Sequence, residues 1–210
     1  EYTRQLMQSY AFDTVYLQPV MVPHWVRGER DIVRIINSNK VGTKELNSLA
    51  LGNSIGTGSA GFTGEVIEVS GIDEVNRLGE KVKGKIVFYN GEMDPTLVST
   101  FSAYGGAVGQ RGSGASEAAK FGAKAVVIRS MSNRRDDIPH TGALNYKPLM
   151  PMIPALAIST NDADLLSGLL KDQPTLKLYL ESHGKMLEDI LSYNVIGEIR
   201  GTEKPEEIIA

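Results

Sequence analysis

Residues 104–146 read YGGAVGQRGSGASEAAKFGAKAVVIRSMSNRRDDIPHTGALNY, and this stretch decides the fold. Its first part is rich in glycine and predicts a loop, which leads into a short helix capped by Ser113 and ended by Gly122. One side of that helix carries only Ala and Gly, so its axis can approach a sheet closely. The strand that follows, residues 125–128, is apolar without alternation, which is typical of a strand covered on both faces.

The rest of the chain predicts mainly short strands. They are expected over residues 12–22, 31–36, 44–51, 65–69, 82–90, 151–159, 175–180, 192–200 and 207–210. The alternating pattern of residues 175–180 predicts an edge strand. Helices are expected over residues 1–10 and directly after residue 159, where a stripe of leucines begins. Together these elements predict a β-rich, mixed α/β fold.

Composition excludes several classes of site. The 210 residues include no cysteine, which rules out disulfides, thiolate zinc sites and a cysteine nucleophile. A net charge of −3 gives no argument for binding nucleic acid or an anionic membrane. No stretch approaches the roughly 18 apolar residues of a membrane span. Because no targeting signal is visible at its start, we expect the chain to be a piece of a longer protein.

Two familiar motifs occur in one glycine-rich loop. Residues 56–61 match the dinucleotide pattern Gly-x-Gly-x-x-Gly, and residues 52–56 match the Gly-x-Ser-x-Gly pattern of serine hydrolases around Ser54. Both motifs require a helix directly afterwards, whereas a strand at 65–69 is expected here. We therefore interpret the first match as chance and keep a serine hydrolase, with Asp136, Asp137 and His140 downstream, only as a weak alternative.

A second loop follows the strand at 125–128. It contains His140 and Thr141, with Tyr146 a few residues later. The charged run at 132–137 is interpreted as solvated. Loops just past strand ends commonly contact ligands in α/β proteins, although a histidine that only caps its own loop is the simpler interpretation.

The sequence offers no catalytic residue and no metal site. Its histidines, His24, His140 and His183, are far apart, and none has the spacing of a known zinc motif.

Several segments together resemble a known family. Residues 82–89, the run beginning at Tyr104, DIPHTGALNY at 137–146 and PMIPALAISTNDADLL at 151–166 look like a protease-associated domain. This is the swivelling β/β/α domain inserted in certain zinc exopeptidases, and the resemblance is closest to the plasma glutamate carboxypeptidase (carboxypeptidase Q) family. The resemblance covers essentially the whole chain.

The resemblance implies a division of the chain. Residues 31–185 would form the protease-associated domain, whereas residues 1–30 and 186–210 would be flanking pieces of the peptidase sheet. The family's first zinc ligand would follow shortly after Ala210, so the two zinc ions would be bound by polypeptide outside this chain. We expect this chain alone to bind no stoichiometric zinc and to cleave no dipeptide.

The resemblance implies a non-catalytic domain that covers the active-site cleft of the parent enzyme and shapes substrate access. The parent would be a secreted or envelope-associated hydrolase of dipeptides or short peptides, acting as a carboxypeptidase, an aminopeptidase or a dipeptidase. The partners would be the missing peptidase domain and a peptide substrate. Weak candidates for substrate-facing residues are Asn53, Ser54, His140, Thr141 and Tyr146. A free-standing peptide-binding or protein-binding module of the same fold stays open as an alternative.

Overall fold

The computed structural model describes residues 1–208, and this part of the chain forms two compact units. The terminal unit consists of residues 1–24 together with the chain from residue 187 onward. The central unit is Trp25–Met186, and it contains both loops that the sequence predicts to face substrate.

Within residues 1–208 the chain forms strands that alternate with helices in the middle of the sequence. The strands are β1 (Thr14–Val26), β2 (Ile32–Ser38), β3 (Gly42–Leu46), β4 (Ser48–Ala50), β5 (Phe62–Val69), β6 (Ile86–Tyr89), β7 (Ala125–Arg129), β8 (Ala155–Ile158), β9 (Lys177–Glu181) and β10 (Lys185–Glu198). The helices are α1 (Tyr2–Ser9), α2 (Ile72–Leu78), α3 (Thr100–Gly112), α4 (Gly114–Ala119) and α5 (Thr160–Asp172), with a 3₁₀ turn at Gly79–Val82.

The central unit is built on one eight-stranded sheet in the order β3-β2-β9-β5-β6-β7-β8-β4. Neighbouring strands from β5 to β8 are parallel, and the remaining pairs are antiparallel. Parallel neighbours require a crossover connection. Helix α2 supplies the first and helices α3 and α4 supply the second, whereas residues 130–154 cross from β7 to β8 as an irregular segment. The prediction of a β-rich, mixed α/β fold is confirmed.

The parallel strands are covered on both faces. Alternate residues of β6 belong to different cores: Phe88 lies in the cluster that includes Leu166 of α5, whereas Val87 lies in the cluster that includes Ala118 of α4. Strand β7 divides its side chains in the same way, which confirms the two-sided burial predicted for residues 125–128.

The glycine-rich run was predicted as a loop, and that prediction is wrong. Residues 100–112 form helix α3, whose N-cap is Ser99. Each glycine costs helix stability of about 1 kcal/mol relative to alanine. Burial of Ala103, Ala107 and Gln110 on the inner side of the helix offsets that cost. Ser113 lies between α3 and α4 and makes no side-chain cap for α4.

Strand β9 was predicted as an edge strand but lies inside the sheet, between β2 and β5. Its alternation arises because Leu178 and Leu180 enter the core while Lys177 stays exposed. One face of this antiparallel half of the sheet is therefore solvated, and the alternating pattern reflects that face.

A buried carboxylate connects the two edges of the sheet. Strands β3 and β4 are opposite edges, yet only Asn47 separates them in sequence. Asp162 in the first turn of α5 is buried, and its Oδ2 accepts hydrogen bonds from the backbone N (2.7 Å) and side-chain Nδ2 (2.9 Å) of Asn47. The hydroxyl of Ser159, the N-cap of α5, also donates to this oxygen at 2.9 Å, and the Ser159 amide donates to the Asn47 carbonyl at 3.0 Å.

The terminal unit contains α1 and a two-stranded sheet of β1 and β10. The Asp13 amide donates to the Glu198 carbonyl at 2.9 Å, and Asn194 donates to the Gln18 side chain at 3.2 Å. No residue of α1 is buried. The strand predicted for residues 207–210 is not formed at 207–208, and residues 209–210 lie outside the described range.

We expect Asp162→Ala to lower the free energy of unfolding of this chain by about 2–4 kcal/mol, because it leaves several buried or half-buried donors without their charged acceptor. Urea denaturation measures this. Asp172→Ala is the matched control, because Asp172 lies on the same helix in an exposed ion pair with Lys40, and it should cost less than about 1 kcal/mol. Equal effects of the two substitutions would contradict the role given to Asp162.

Candidate functional site

The two loops that the sequence predicts to face substrate lie against each other. The Gly52 amide donates to the Gly142 carbonyl at 2.9 Å, and the Leu144 amide donates to the Gly52 carbonyl at 3.0 Å. Gly52 and Ala143 thereby form an isolated parallel bridge. We call residues 51–61 and 138–146 the paired loops. Long irregular connections in compact domains usually have a functional role.

Asn53 and Tyr146 fasten the paired loops together. The Asn53 side chain donates to the Leu144 carbonyl at 3.1 Å. The Tyr146 hydroxyl accepts from the Ile55 amide at 3.1 Å and donates to the Ile153 carbonyl at 2.7 Å. Burial of this hydroxyl raises the pKa of Tyr146 above its ordinary value. Both side chains are therefore already engaged in bonds within the protein.

Ser54 is fully buried and has the contacts of a structural residue. Its hydroxyl donates to the Ile55 carbonyl at 2.9 Å and accepts from the Ala155 amide at 2.9 Å. No helix follows it, so the backbone lacks the strand–turn–helix geometry of a nucleophile elbow. This geometry argues against the serine-hydrolase alternative.

His140 and Thr141 lie where the second paired loop leaves the carboxyl end of β7. The His140 amide donates to the Ser130 hydroxyl at 2.7 Å, while its imidazole Nε2 lies 3.8 Å from a carboxylate oxygen of Asp136. The His140 side chain is 41% exposed. Thr141 is half-buried, and its carbonyl accepts from Arg111 of α3 at 3.5 Å. The Nε2 atom of His140 is buried and has no hydrogen-bond partner among the described residues, whereas Asn53, Ser54 and Tyr146 are already bonded within the protein.

A network of ion pairs at the carboxyl ends of β6 and β7 was missed by the sequence analysis. The side chain of Arg129 is 1% exposed and donates to Asp164 at 2.8 Å and to Asn90 at 3.0 Å. Arg135 pairs with Glu92 at 2.9 Å and with Asp164 at 3.0 Å. Residues 133–135 and 137 are exposed, as predicted for a solvated run, and Arg135 forms its two ion pairs from an exposed position. The two arginines are balanced by two carboxylates, so the network gives no argument for anion binding. Its ion pairs hold the segment that leads from β7 to the second paired loop.

A groove of about 810 Å³ lies beside the first paired loop. Its walls come from residues 28–29, 55–59 and 182–186, with Met152 at one side. Glycine is required at two positions because backbones cross closely: a Cβ at Gly56 would lie 2.5 Å from the Ser182 carbonyl oxygen, and one at Gly184 would lie 2.6 Å from that of Ser54.

The groove is mostly apolar, with a few polar groups. Ile55, Met152 and Met186 supply its apolar lining, and His183 Nε2 lies 3.3 Å from a carboxylate oxygen of Glu181. Such a combination suits binding of a peptide or a small ligand. It does not supply a nucleophile with an adjacent base.

The residues described here do not form a zinc site. Across residues 1–208, no three His, Asp or Glu side chains are grouped as a metal ion would require. Among the same residues, no helix is both long enough and apolar enough to cross a membrane.

Comparison with known proteins identifies the family that the chain resembles. No family model matches the chain. It is 39% identical over 99% of its length to a carboxypeptidase Q from Xenopus laevis and 35% identical over 98% of its length to the one from Homo sapiens. The chain is a relative of the carboxypeptidase Q peptidases. It spans less than half of those proteins, 42% and 41% of their respective lengths.

Solved structures agree with this relationship to carboxypeptidase Q. A peptidase M28 precursor from Shewanella amazonensis matches 97% of this chain and 45% of its own, with a TM-score of 0.88 and 31% identity. An aminopeptidase from Aneurinibacillus matches with a TM-score of 0.62 at 19% identity, and it supports the fold alone.

We expect Tyr146→Phe to loosen the paired loops, because the Ile55 amide and the Ile153 carbonyl both lose their partner. The free energy of unfolding should fall by about 1–2 kcal/mol, and the Ile55 amide hydrogen should exchange faster. Urea denaturation and hydrogen exchange measure these effects. Tyr10→Phe, at an exposed position, is the control and should change stability by less than about 0.5 kcal/mol. Unchanged exchange at Ile55 would rule out the bridging role of the hydroxyl.

Proposed function

We propose that this chain is the non-catalytic protease-associated domain of a zinc exopeptidase, together with flanking strands of the peptidase domain. In this proposal it covers the active-site cleft and limits which peptides enter. The observation that carries the proposal is the similarity of the whole chain to less than half of carboxypeptidase Q. By the same resemblance, we propose a secreted or envelope-associated location.

The terminal unit supports the proposal that residues 1–30 and 186–210 belong to a peptidase sheet. A two-stranded sheet alone is marginally stable in water. Strand β10 nevertheless exposes several large apolar side chains, namely Met186, Leu187, Ile190, Leu191 and Tyr193. Further polypeptide packed on this strand pair would bury them, which fits additional strands and helices of a catalytic domain.

The central unit would act on substrate access and not on bond cleavage. Zinc ions, bound by the rest of the parent enzyme, would supply the Lewis-acid chemistry of peptide hydrolysis. The paired loops are held together by backbone bonds and by Asn53 and Tyr146, so they can form a stiff wall. We assign Asn53, Ser54 and Tyr146 to holding this wall, with His140 and Thr141 as its contacts to a peptide.

A free-standing binding module is the second candidate, and the groove beside the first paired loop favours it. In that case the chain would bind a peptide without any peptidase domain. Binding of short peptides to this chain alone, monitored by calorimetry, would support this second candidate.

The proposed function predicts activity only in the longer polypeptide. We expect the longer protein to hydrolyse dipeptides or short peptides, to lose at least about 100-fold of its activity on removal of zinc by a chelator, and to regain it when zinc is restored. This chain alone should show no turnover in the same assay. A longer polypeptide that contains zinc but hydrolyses no peptide would contradict the proposal.

We expect His140→Ala in the longer protein to lower kcat/KM by about 5–30-fold, which corresponds to the loss of one hydrogen bond to substrate. The effect should fall mainly on KM and should differ between dipeptides and longer peptides. Asn39→Ala, in the exposed turn between β2 and β3, is the control and should leave kinetics unchanged. Unaltered efficiency and length preference in His140→Ala would remove His140 from the substrate contacts.

A further inference from the structure

Exposed apolar side chains lie together where the connection after β6 enters the first turn of α3. We define the apolar tip as residues 97–101, in which Leu97 is 45% exposed, Val98 is 103% exposed and Phe101 is 86% exposed. Single exposed apolar side chains are common on protein surfaces, but a cluster at one point marks an interaction site more often. Nothing in the proposed substrate contacts of the paired loops uses this tip.

The structure holds the apolar tip in a defined conformation. Asp94 accepts from both the backbone N (2.9 Å) and the hydroxyl (2.7 Å) of Thr96, and these bonds lower the pKa of Asp94. The Ser99 hydroxyl caps the first turn of α3 by accepting from the Ser102 amide at 3.3 Å. An apolar surface that is already ordered loses less conformational entropy when a partner covers it.

Helix α3 links the apolar tip to the paired loops. Arg111, near the other end of the helix, donates to the Tyr104 hydroxyl and lies over that ring, with its Cζ 5.3 Å from the centroid. It also donates to the Thr141 carbonyl, and the Gly112 carbonyl accepts from the Asn145 amide at 2.8 Å. A contact made at the tip would therefore fix the position of the second paired loop as well.

The size of the apolar tip indicates what covers it. A second copy of the chain would need an interface of at least about 1,000 Å² to bind stably, which three side chains do not provide. A domain on the same polypeptide is present at an effective concentration in the millimolar range, so a small contact suffices. The chain spans 42% of its Xenopus laevis relative, so such a domain would be large enough to receive the tip.

We propose that the apolar tip packs into an apolar recess of the peptidase domain of the longer polypeptide and fixes the central unit over it. This inference rests on the proposed function. It assigns the contact to Leu97, Val98 and Phe101, which hold no role in substrate binding.

Labelling of an introduced thiol tests the proposal, because the chain has no cysteine of its own. Phe101→Cys is prepared in this 210-residue chain and in the longer polypeptide, and the rate of maleimide labelling at position 101 is read by peptide mass spectrometry. Lys171→Cys, at an exposed position on α5, is the matched control. We expect the thiol at position 101 to label at least about tenfold more slowly in the longer polypeptide, whereas the thiol at position 171 labels at equal rates in both proteins.

Three results separate the possibilities. Equal labelling rates at position 101 in this chain and in an active longer polypeptide would overturn the inference while leaving the proposed function intact. Protection that increases with protein concentration would overturn it in favour of a second copy. Protection at position 101 that is independent of concentration, in a longer polypeptide without peptidase activity, would support the contact and reject the proposed function.

Discussion

The carboxylate of Asp162 is the contact on which the arrangement of the central unit depends. The sheet has two edges, β3 and β4, and a chain that passes from one to the other through the single residue Asn47 must bring them together. Backbone pairing alone gives β4 only three residues of contact with β8. Asp162 adds charge-assisted bonds to both donors of Asn47, and so it fixes where β3 ends and where β4 begins. The first paired loop follows β4 directly, so this carboxylate helps to position it without a hydrogen bond to it.

Sequence reasoning was most accurate where periodicity reflects burial. The apolar run of β7 and the small side of α4 both pack as their patterns predict. It was inaccurate where packing decides against local preference. The glycines of α3 favour a loop by themselves, and burial of Ala103, Ala107 and Gln110 offsets that preference. In β9, alternation reports one solvated face, which an edge strand and an interior strand can share.

In the candidate site, too, contacts between distant residues were not predictable from local sequence patterns. The sequence pointed to the two loops but did not predict the structural hydrogen bonds of their side chains. The bonds of Ser54 and Tyr146 join residues that are far apart in the chain, so no local pattern indicates them. The ion pairs of Arg129 and Arg135 with Asp164 likewise connect segments that no local pattern relates. The sequence offered one sign of this ion-pair network, namely Arg129 at the end of the apolar strand β7. A guanidinium buried at such a position requires a carboxylate partner.

Gly28 and His183 lie near the two ends of the central unit and close to each other. A Cβ on Gly28 would lie 2.8 Å from the Cβ of His183, so the chain enters and leaves this unit at nearly the same point. A folded unit whose two ends lie side by side adds little loop-closure entropy to a polypeptide that carries it. Insertion of such a body into another fold, or its removal, disturbs the receiving backbone little.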